Sequence, residues 1–461
     1  MKNKPFAHFF KTYGHNYIYD VNKNSIIRVQ EDVWDLLKEG YDDENSTVKQ
    51  LIENGFLSDN RVKAIVHRTD EVIADYINSK IGMITLQVTQ ICNLRCEYCV
   101  YSGEYHNRKH SNSIMSVDMA KKGINFLNEH SSDVKKVAIG FYGGEPLIEF
   151  DLIKEIIEYV KETIYGKLWI FSITTNGTLL NESIIKYFYE NDVQLLISLD
   201  GPAEIHDKYR RFAHSNVGTF NKIIENIELI KRTYPEYLQN VKFNAVINQE
   251  NDFTCINGFF NDFEAIKDTL WVRYSEIQEN YKKSKAYLNE KYYQDINYEY
   301  FKVFLSKLGK LDAKYASTLL LSRFTDLENT YDHLIPTELL PQFLHHGGPC
   351  IPGTQRLFLN THGEFFPCER VSETSKVAKI GDIENGLDLK KVKEILNVGK
   401  ITEEHCKNCW AIRFCTQCVA SADNGNILSA ELKLRGCNSV RAIIEAKFKD
   451  ICTLREFGYN F

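Results

Sequence analysis

The chain has 461 residues, enough to bury a large core and to form two or three domains. Its net charge of −6 gives no bulk basic field of the kind that binds nucleic acid. No apolar run approaches the length of a membrane span, and the N-terminus lacks the apolar core of a signal peptide, so we expect a cytoplasmic protein. In such a chain the 12 cysteines are expected to bind metal rather than to form disulfides.

Residues 1–80 are predicted to form a small domain of three strands followed by helices. Strands at Tyr17–Val21 and Ser25–Val29 flank a tight turn, and an earlier strand is expected near residues 7–13. Apolar residues at helical spacing predict helices around residues 33–37, from Ser46 to Gly55, and over residues 61–79. This winged-helix-like pattern resembles the element with which peptide-modifying enzymes hold the leader of a precursor peptide. A plain cap on the next domain is the alternative.

Residues 81–280 alternate between strand and helix patterns, which predicts an α/β fold with a parallel sheet and right-handed crossovers. The predicted strands span residues 83–89, 136–142, 168–174, 193–199, 241–248 and 270–277. Helical patterns lie between them, as at Leu152–Val160 and Thr219–Arg232. Six such units are too few for a closed eight-stranded barrel, but ligands are still expected at the carboxyl ends of the strands.

Three cysteines follow the first of these strands. Cys92, Cys96 and Cys99 have the spacing Cys-x3-Cys-x2-Cys, which can hold three irons of a 4Fe–4S cube and leave the fourth iron open. A zinc site is the alternative, but it needs a fourth ligand, and the next candidates, His106 and His110, lie on a polar loop. The cysteine loop resembles that of the radical S-adenosylmethionine (SAM) enzymes. This resemblance implies a partial (β/α)6 barrel in which the open iron chelates SAM and one electron cleaves SAM to methionine and a 5′-deoxyadenosyl radical.

Polar motifs end the next three predicted strands. Gly143–Glu145 combines two glycines, which allow close approach of backbone to a ligand, with a carboxylate that suits an ammonium group. Thr174–Gly177 and Ser198–Gly201 follow, with ordinary turn chemistry as the alternative. Arg210 and Arg211 could reach the SAM carboxylate, although a solvated basic patch is the alternative for at least one of them. Resemblance to radical SAM enzymes implies these SAM contacts: Tyr98, Gly143, Gly144, Glu145, Asn176, Ser198 and Asp200.

Residues 281–345 have helical patterning and are predicted to form a packed helical connector. Residues 346–461 are rich in cysteine, and their spacing resembles the SPASM extension of peptide-modifying radical SAM enzymes. One departure is the final spacing of two residues, between Cys415 and Cys418, where the family pattern has three. The resemblance implies two auxiliary 4Fe–4S clusters, the first held by Cys350, Cys368 and Cys418 and the second by Cys406, Cys409, Cys415 and Cys437. A pair of zinc sites is the alternative.

The first auxiliary set has three cysteines, and the stretch Ile351–Pro367 offers no further one. Its open iron could therefore hold the donor cysteine of a substrate. The alternative is that His362, water, Cys255 or Cys452 fills the position. Both of these leftover cysteines lie in apolar helical patterns and are expected to be buried.

The whole arrangement resembles radical SAM/SPASM maturases of ribosomally made peptides, particularly those that install thioether crosslinks of the sactipeptide and ranthipeptide type. The resemblance implies that the radical abstracts a hydrogen from an acceptor residue, that a cysteine sulfur of the same peptide bonds to that carbon, and that the surplus electron leaves through an auxiliary cluster. The expected partners are a precursor peptide, with a leader and a Cys-rich core, and a flavodoxin- or ferredoxin-type electron donor. Three alternatives stay open: another peptide modification such as a carbon–carbon crosslink, a sulfatase-maturating enzyme, and a non-enzymatic iron–sulfur scaffold.

Overall fold

The computed structural model describes residues 4–40, 45–103, 105, 108–267, 271–277, 289–347 and 350–461. The strands are β1 Ala7–Lys11, β2 Asn16–Asp20, β3 Ser25–Val29, β4 Met83–Thr89, β5 Lys136–Gly143, β6 Leu168–Thr175, β7 Gln194–Ser198, β8 Val241–Ile247, β9 Val272–Glu276, β10 Leu357–Leu359, β11 Glu364–Phe366, β12 Gly381–Asp382 and β13 Gly386–Leu387. The α-helices are α1 Glu31–Glu39, α2 Ser46–Glu53, α3 Ile73–Ser79, α4 Val117–Glu129, α5 Phe150–Thr163, α6 Glu182–Glu190, α7 Ala203–Tyr209, α8 Phe220–Thr233, α9 Phe253–Asp262, α10 Glu290–Lys307, α11 Leu321–Asp332, α12 Leu389–Leu396, α13 Glu403–Lys407, α14 Ala430–Arg435 and α15 Cys437–Glu456.

Strands β1, β2 and β3 form an antiparallel sheet in that order, as the sequence predicts. The turn between β2 and β3 is tight because Asn24 adopts φ of +51°, a region that Asn tolerates, and its side chain accepts a hydrogen bond from Tyr19 Oη at 2.8 Å. One side of this sheet packs on α1 and α2 through a small apolar cluster that includes Ile18, Trp34 and Val48. The winged-helix assignment remains a prediction.

The central sheet has ten strands, in the order β13-β12-β11-β10-β4-β5-β6-β7-β8-β9. Strands β4 to β9 are parallel neighbours in sequence order, which is the mostly parallel α/β arrangement that the repeated strand–helix pattern predicts. Apolar residues of α4, α5, α6 and α8 pack with these strands in one continuous core. The carboxyl ends of the strands, where the predicted motifs lie, therefore share one edge of the sheet.

The C-terminal segment extends this sheet. Strand β10 pairs in parallel with β4, with Leu357 opposite Ile84 and Leu359 opposite Leu86, and β11 to β13 continue antiparallel. Two helices, α10 and α11, occupy much of the predicted connector, of which residues 281–288 lie outside the described residues. The strand predicted at 270–277 is β9, and its residue 270 also lies outside them.

Two expectations from the sequence are corrected. The helix predicted over residues 61–79 is confined to α3, because residues 63–66 run beside residues 342–344, where Lys63 N donates to Gln342 O at 2.8 Å. Cys255 is exposed rather than buried, because α9 turns Phe253 and Ile256 toward the core and Cys255 away from it. Cys452, on α15, is buried as expected.

The N-terminal sheet and the C-terminal helix pack against each other. Phe10 and Tyr19 contact Phe448 of α15, with ring centroids 6.1 Å and 4.8 Å from it. His8 stacks on Trp410 at 3.6 Å. Among the described residues, no helix is both long and apolar enough to cross a bilayer.

Candidate active site

The three cysteines of the loop after β4 lie together at the carboxyl edge of the sheet. Electrostatic interactions join Cys92 to Cys99, and Cys96 to both of them. Two backbone N–H groups point at sulfur, since Leu94 N lies 3.4 Å from Cys92 Sγ and Tyr101 N lies 3.5 Å from Cys99 Sγ. Such donors stabilise the thiolate, which is the form that binds metal.

Burial raises the pKa of the Cys92 and Cys96 thiols to about 12, and the Arg210 guanidinium opposes this shift. A bound metal would reverse the balance, because a coordinating thiol loses its proton to the field of the ion. Within the described residues, no three His, Cys, Asp or Glu side chains converge on a single metal ion. Thiolates that hold a cubane are distributed over its corners instead.

Gly143 and Gly144 hold the cysteine loop against the end of β5. Gly144 N donates to Thr89 O and Glu145 N donates to Ile91 O, each at 2.8 Å. A Cβ on Gly143 would lie 2.0 Å from Thr89 O, and one on Gly144 would lie 2.1 Å from Ile91 O. These glycines are therefore required for backbone contact with the cysteine loop, whereas the sequence alone indicates only close approach to a ligand.

Glu145 is buried, and its carboxylate accepts three hydrogen bonds from its own chain. Oε1 accepts from Thr175 Oγ1 at 2.6 Å and from Leu147 N at 3.0 Å, while Oε2 accepts from Asn176 N at 2.7 Å. Burial raises its pKa, and these three donors act in the opposite direction. The ammonium contact predicted for Glu145 stays a prediction; the structure gives its carboxylate the role of joining β5 to the end of β6.

The predicted contact residue Asn176 reaches back to the cysteine loop. Asn176 Nδ2 donates to Asn93 Oδ1 at 2.9 Å, and Asn93 Nδ2 donates to Thr178 Oγ1 at 2.9 Å. Asn93, next to Cys92, is thus fixed by two side-chain hydrogen bonds to the loop after β6. The sequence alone does not single out Asn93 and Thr178. The signals that could have found them are an amide inside the cysteine loop and a hydroxyl directly after Thr174–Gly177.

Tyr98, Asp200 and Arg210 form a cluster beside Cys96, in which Asp200 and Arg210 are buried and Tyr98 is half-buried. Arg210 Nε donates to Tyr98 Oη at 2.6 Å and to Asp200 Oδ2 at 2.9 Å, and Tyr98 Oη also bonds to Asp200. The pKa of Tyr98 is raised, first by burial. Asp200 Oδ1 accepts from Val246 N at 3.0 Å, which ties the end of β7 to β8. The structure therefore brings Tyr98 and Asp200 together and adds Arg210 to the site.

The remaining candidates of this region differ in their surroundings. Ser198 is buried at the end of β7, opposite Asn244 of β8. Arg211 donates from Nε to Asp207 O at 2.9 Å, so its guanidinium supports the loop before α8. Of the two predicted arginines, Arg210 belongs to the cluster beside the cysteines and Arg211 does not.

A buried ion pair connects the cysteine loop with the C-terminal segment. Arg108 Nε lies 2.8 Å from Glu373 Oε1, and Gln87 Nε2 donates to the same carboxylate at 2.9 Å and to Tyr101 Oη at 2.7 Å. Arg108 Nη2 also donates to Glu369 O at 2.6 Å. The sequence gives no signal for this network, because Arg108 and Gln87 are more than 260 residues from their partners Glu369 and Glu373 in the C-terminal segment.

The predicted first auxiliary set comes together. Cys418 interacts electrostatically with both Cys350 and Cys368. Burial raises the pKa of Cys368 to about 11, and burial also raises that of Cys418. Arg356 and Arg370 act against these shifts, and Cys350 is exposed. One end of this group thus faces solvent.

The other residues considered as a fourth ligand lie elsewhere. Cys255 Sγ lies 3.7 Å from Glu204 Oε1 on α7. Cys452 packs in the cluster formed by the N-terminal sheet and α15. His362 is exposed in the β10–β11 turn, beside a glycine that packs on Met119. Within the described residues, Cys255 and Cys452 are therefore excluded from this group by their positions.

The predicted second auxiliary set lines a cavity of about 200 Å³. Its wall includes the four cysteines Cys406, Cys409, Cys415 and Cys437, together with Gln417, Lys433 and Arg441. Gln417 Nε2 donates to Cys437 Sγ at 3.4 Å, and Lys433 Nζ donates to Cys406 Sγ at 3.4 Å. A cavity walled by four thiols and by donors aimed at sulfur fits a cluster with four thiolate ligands.

The sequence model of the radical SAM superfamily matches residues 86–254, which contain the cysteine loop and the motifs at the ends of β5, β6 and β7. Residues 86–254 form a radical SAM domain. This domain contains the three cysteines of the loop after β4 and the cluster of Tyr98, Asp200 and Arg210. The two predicted auxiliary sets of cysteines lie outside the matched residues.

Two relatives are sulfatase-maturating enzymes. The chain is 40% identical to the cysteine-type anaerobic sulfatase-maturating enzyme of Clostridium novyi over 34% of this chain and 42% of that protein. It is 28% identical to the corresponding enzyme of Clostridium perfringens over 77% of this chain and 93% of that protein. The first match thus spans less than half of the length of that protein.

A solved structure described as native anSMEcpe with bound AdoMet and Cp18Cys peptide superposes on the chain with a TM-score of 0.59. The identity is 21%, and the superposition covers 82% of this chain and 99% of that chain. This likeness shows the fold alone. It also leaves about a fifth of this chain without a counterpart.

Proposed function

We propose that this chain is a radical SAM maturase that acts on a peptide and forms Cys thioether crosslinks in a Cys-rich precursor. The observation that carries the proposal is the group of three cysteines, Cys350, Cys368 and Cys418, with its exposed end. Three thiolates leave one corner of a cube without a protein ligand, and a substrate thiol suits that corner. The radical SAM domain supports the class of chemistry.

The residues of the site have roles that follow from their contacts. Cys92, Cys96 and Cys99 would hold a cluster that supplies the electron for SAM cleavage when bound. Tyr98, Asp200 and Arg210 form a charged wall beside it, and Arg210 offers a guanidinium to a carboxylate such as that of SAM. Glycine contacts and Asn93 keep the loop in place, which is the positioning that radical chemistry on one C–H bond requires.

A thioether and a carbon–carbon crosslink both remove two hydrogens from the peptide, but only the thioether removes an alkylatable thiol. The experiment is anaerobic turnover with SAM, a reductant and a short Cys-rich candidate precursor peptide that carries a leader. We expect a loss of about two mass units per crosslink, one fewer alkylatable thiol, and fragmentation that links a Cys to another residue. A product with two hydrogens lost and all thiols retained would contradict the thioether proposal.

The second candidate function is oxidation of a single Cys in a sulfatase, which the Clostridium relatives favour. The Cp18Cys peptide is the probe that separates the two functions. Turnover of Cp18Cys to a product oxidised at one Cys, together with an unmodified Cys-rich peptide, would support the sulfatase function. We expect instead that the Cys-rich peptide is crosslinked and that Cp18Cys stays unmodified.

The open corner of the first auxiliary cluster predicts a spectroscopic response to substrate. Arg356 and Arg370 lie next to Cys368 and Cys418, and cations favour the thiolate form of an arriving thiol. Adding the Cys-rich peptide should therefore perturb the electron paramagnetic resonance of this cluster. The same peptide with its donor Cys changed to Ala should leave the spectrum unchanged. A fourth protein ligand in a substrate-free crystal structure would contradict this prediction.

The N-terminal sheet is proposed to bind the leader. Within the described residues, β3 has backbone hydrogen bonds to β2 and to no other strand, so its outer edge can accept an added strand. Beside it in the same apolar cluster lies α2, with Val48 buried, Leu51 half-buried and Ile52 38% exposed. A leader could pair with the edge and cover Ile52.

The substitution Ile52→Glu should weaken binding of the precursor about tenfold, because it places a charge in a surface that the leader would desolvate. The rate of SAM cleavage in the absence of precursor peptide should not change. Tyr13→Glu is the matched control, since Tyr13 is fully exposed in the β1–β2 turn. Point variants are preferable to removing residues 1–78, which would expose Phe448 and its neighbours on α15. Equal precursor affinity of Ile52→Glu and wild type, measured by fluorescence anisotropy, would show that this segment is a structural cap.

A further inference from the structure

Lys433 is an ammonium group in an unusual position. Its side chain is fully buried, with 1% exposed, on the short helix α14. Nζ donates to Thr402 Oγ1 at 3.1 Å and to Cys406 Sγ at 3.4 Å. No carboxylate of the described residues forms an ion pair with it. A buried ammonium without an anion is strongly unfavourable, so this position requires negative charge nearby.

The cavity beside Lys433 provides that negative charge once its thiols are deprotonated. Cys406, Cys409, Cys415 and Cys437 line it. Four thiolates exceed the positive charge of a 4Fe–4S core, so the loaded cluster is an anion, and reduction adds another negative charge. A fixed cation stabilises the reduced form more than the oxidised form.

Other groups around the cavity also stabilise negative charge on the cysteine sulfurs. Burial raises the pKa of Cys409, and the Arg441 guanidinium opposes that shift. Gln417 donates to Cys437 Sγ at 3.4 Å, and the Thr402 hydroxyl lies 3.1 Å from Cys406 Sγ. Cys437 is also the first residue of the 20-residue helix α15, so the positive end of that helix dipole lies at the cavity. Lys433 differs from these groups in being a full charge that is entirely removed from water.

We propose that Lys433, held by Thr402, is the buried counter-ion of the second auxiliary cluster and raises its reduction potential, which makes this cluster the preferred acceptor of the electron released by the substrate. The proposal rests on the predicted cluster at Cys406, Cys409, Cys415 and Cys437. It does not depend on which crosslink the enzyme forms. In this proposal Lys433 acts as a charge that tunes the cluster through its contact with Cys406.

The test is a redox titration of the anaerobically reconstituted full-length protein, followed by electron paramagnetic resonance. In Lys433→Met, one auxiliary signal should become reduced at a more negative potential. We expect at least a tenfold change in its reduction equilibrium, which corresponds to about 59 mV for a one-electron couple. The other cluster signals should keep their potentials, and Lys433→Arg should restore that of the shifted cluster.

Lys407→Met is the matched control. Lys407 lies next to Cys406 in sequence, but it pairs with Glu404 at 2.7 Å, so its charge is already balanced. This variant has the same change in net charge and should leave all potentials unchanged. An equal shift in Lys407→Met, or no shift in a fully loaded Lys433→Met, would overturn the proposal.

Thr402→Val keeps the experiment decisive if Lys433→Met fails to fold. It removes the hydroxyl that fixes the ammonium and retains the charge, so a smaller shift in the same direction is expected. An unchanged potential in loaded Thr402→Val would count against the proposal. Wild-type protein that lacks iron at this site would overturn both the cluster assignment and the tuning role, whereas unchanged potentials in loaded variants would overturn the tuning role alone.

Discussion

Replacing Cys92, Cys96 and Cys99 together with Ala is expected to abolish SAM cleavage and to lower the iron content from about 12 to about eight per chain, since one of the three proposed 4Fe–4S cubes would be lost. The auxiliary cysteines would remain, because neither auxiliary group includes a residue of this loop. The measurements are iron and sulfide analysis after anaerobic reconstitution, and chromatography of 5′-deoxyadenosine formed under reducing conditions.

Cys255→Ala is the matched control for that variant. Cys255 is exposed on α9, and its nearest polar partner is Glu204, so no cluster should depend on it. We expect its iron content and its SAM cleavage to equal those of wild type. Stoichiometric zinc without visible-range absorbance in the wild-type protein would contradict the cluster assignment, as would SAM cleavage by the triple variant.

The sequence predicts the parallel part of the fold well because its signals are local. The strands from β4 to β9 are short segments in which apolar residues are continuous, as in β7, or alternate with polar residues, as in β8. Each predicted range overlaps the observed strand. Strand β10 could not be predicted in this way. It has three residues, and its pairing with β4 joins Leu359 to Leu86 across most of the chain. Such pairing is decided by packing of distant segments, for which periodicity carries no signal.

The grouping of Cys92, Cys96 and Cys99 follows from their spacing, since thiols within a few residues of each other can converge on one ligand, whereas Cys350, Cys368 and Cys418 lie far apart in sequence and are expected together only from the resemblance to the SPASM extension. The roles of the polar motif residues do not follow in the same way. A Gly-Gly-Glu sequence specifies a close approach and a carboxylate, but the structure directs the glycines to Thr89 O and Ile91 O and the carboxylate to three internal donors. Residue type can be read from the sequence, whereas the direction of a side chain depends on neighbours that are distant in sequence. Lys433 is the strongest example, because a lysine four residues before Cys437 looks like an ordinary exposed residue.

Glu145→Ala is the second substitution for which a large effect is expected. The change would leave three buried donors, on Leu147, Thr175 and Asn176, without their acceptor. Each unsatisfied buried donor costs about 1–3 kcal/mol, so the thermal midpoint should fall clearly. Asn176 also holds Asn93 beside Cys92, so the cysteine loop should shift. A displacement of about 1 Å can lower a rate about 100-fold, and we expect a loss of SAM cleavage of that order.

The variant Glu145→Gln distinguishes an internal role of this residue from direct contact with the SAM ammonium. Gln keeps the shape of Glu but presents an amide N–H₂ where one of the donors now points. With an internal role, Glu145→Gln should lower the thermal midpoint even without SAM, because a buried donor loses its acceptor. With direct contact to SAM, the midpoint of the SAM-free protein should stay unchanged and the Kd for SAM should rise.

Glu149→Gln is the matched control, since Glu149 lies four residues further on and its side chain forms no capping hydrogen bond with α5. The measurements are differential scanning calorimetry and SAM titration on anaerobic protein, and an unchanged midpoint in both Glu145 variants would refute the internal role.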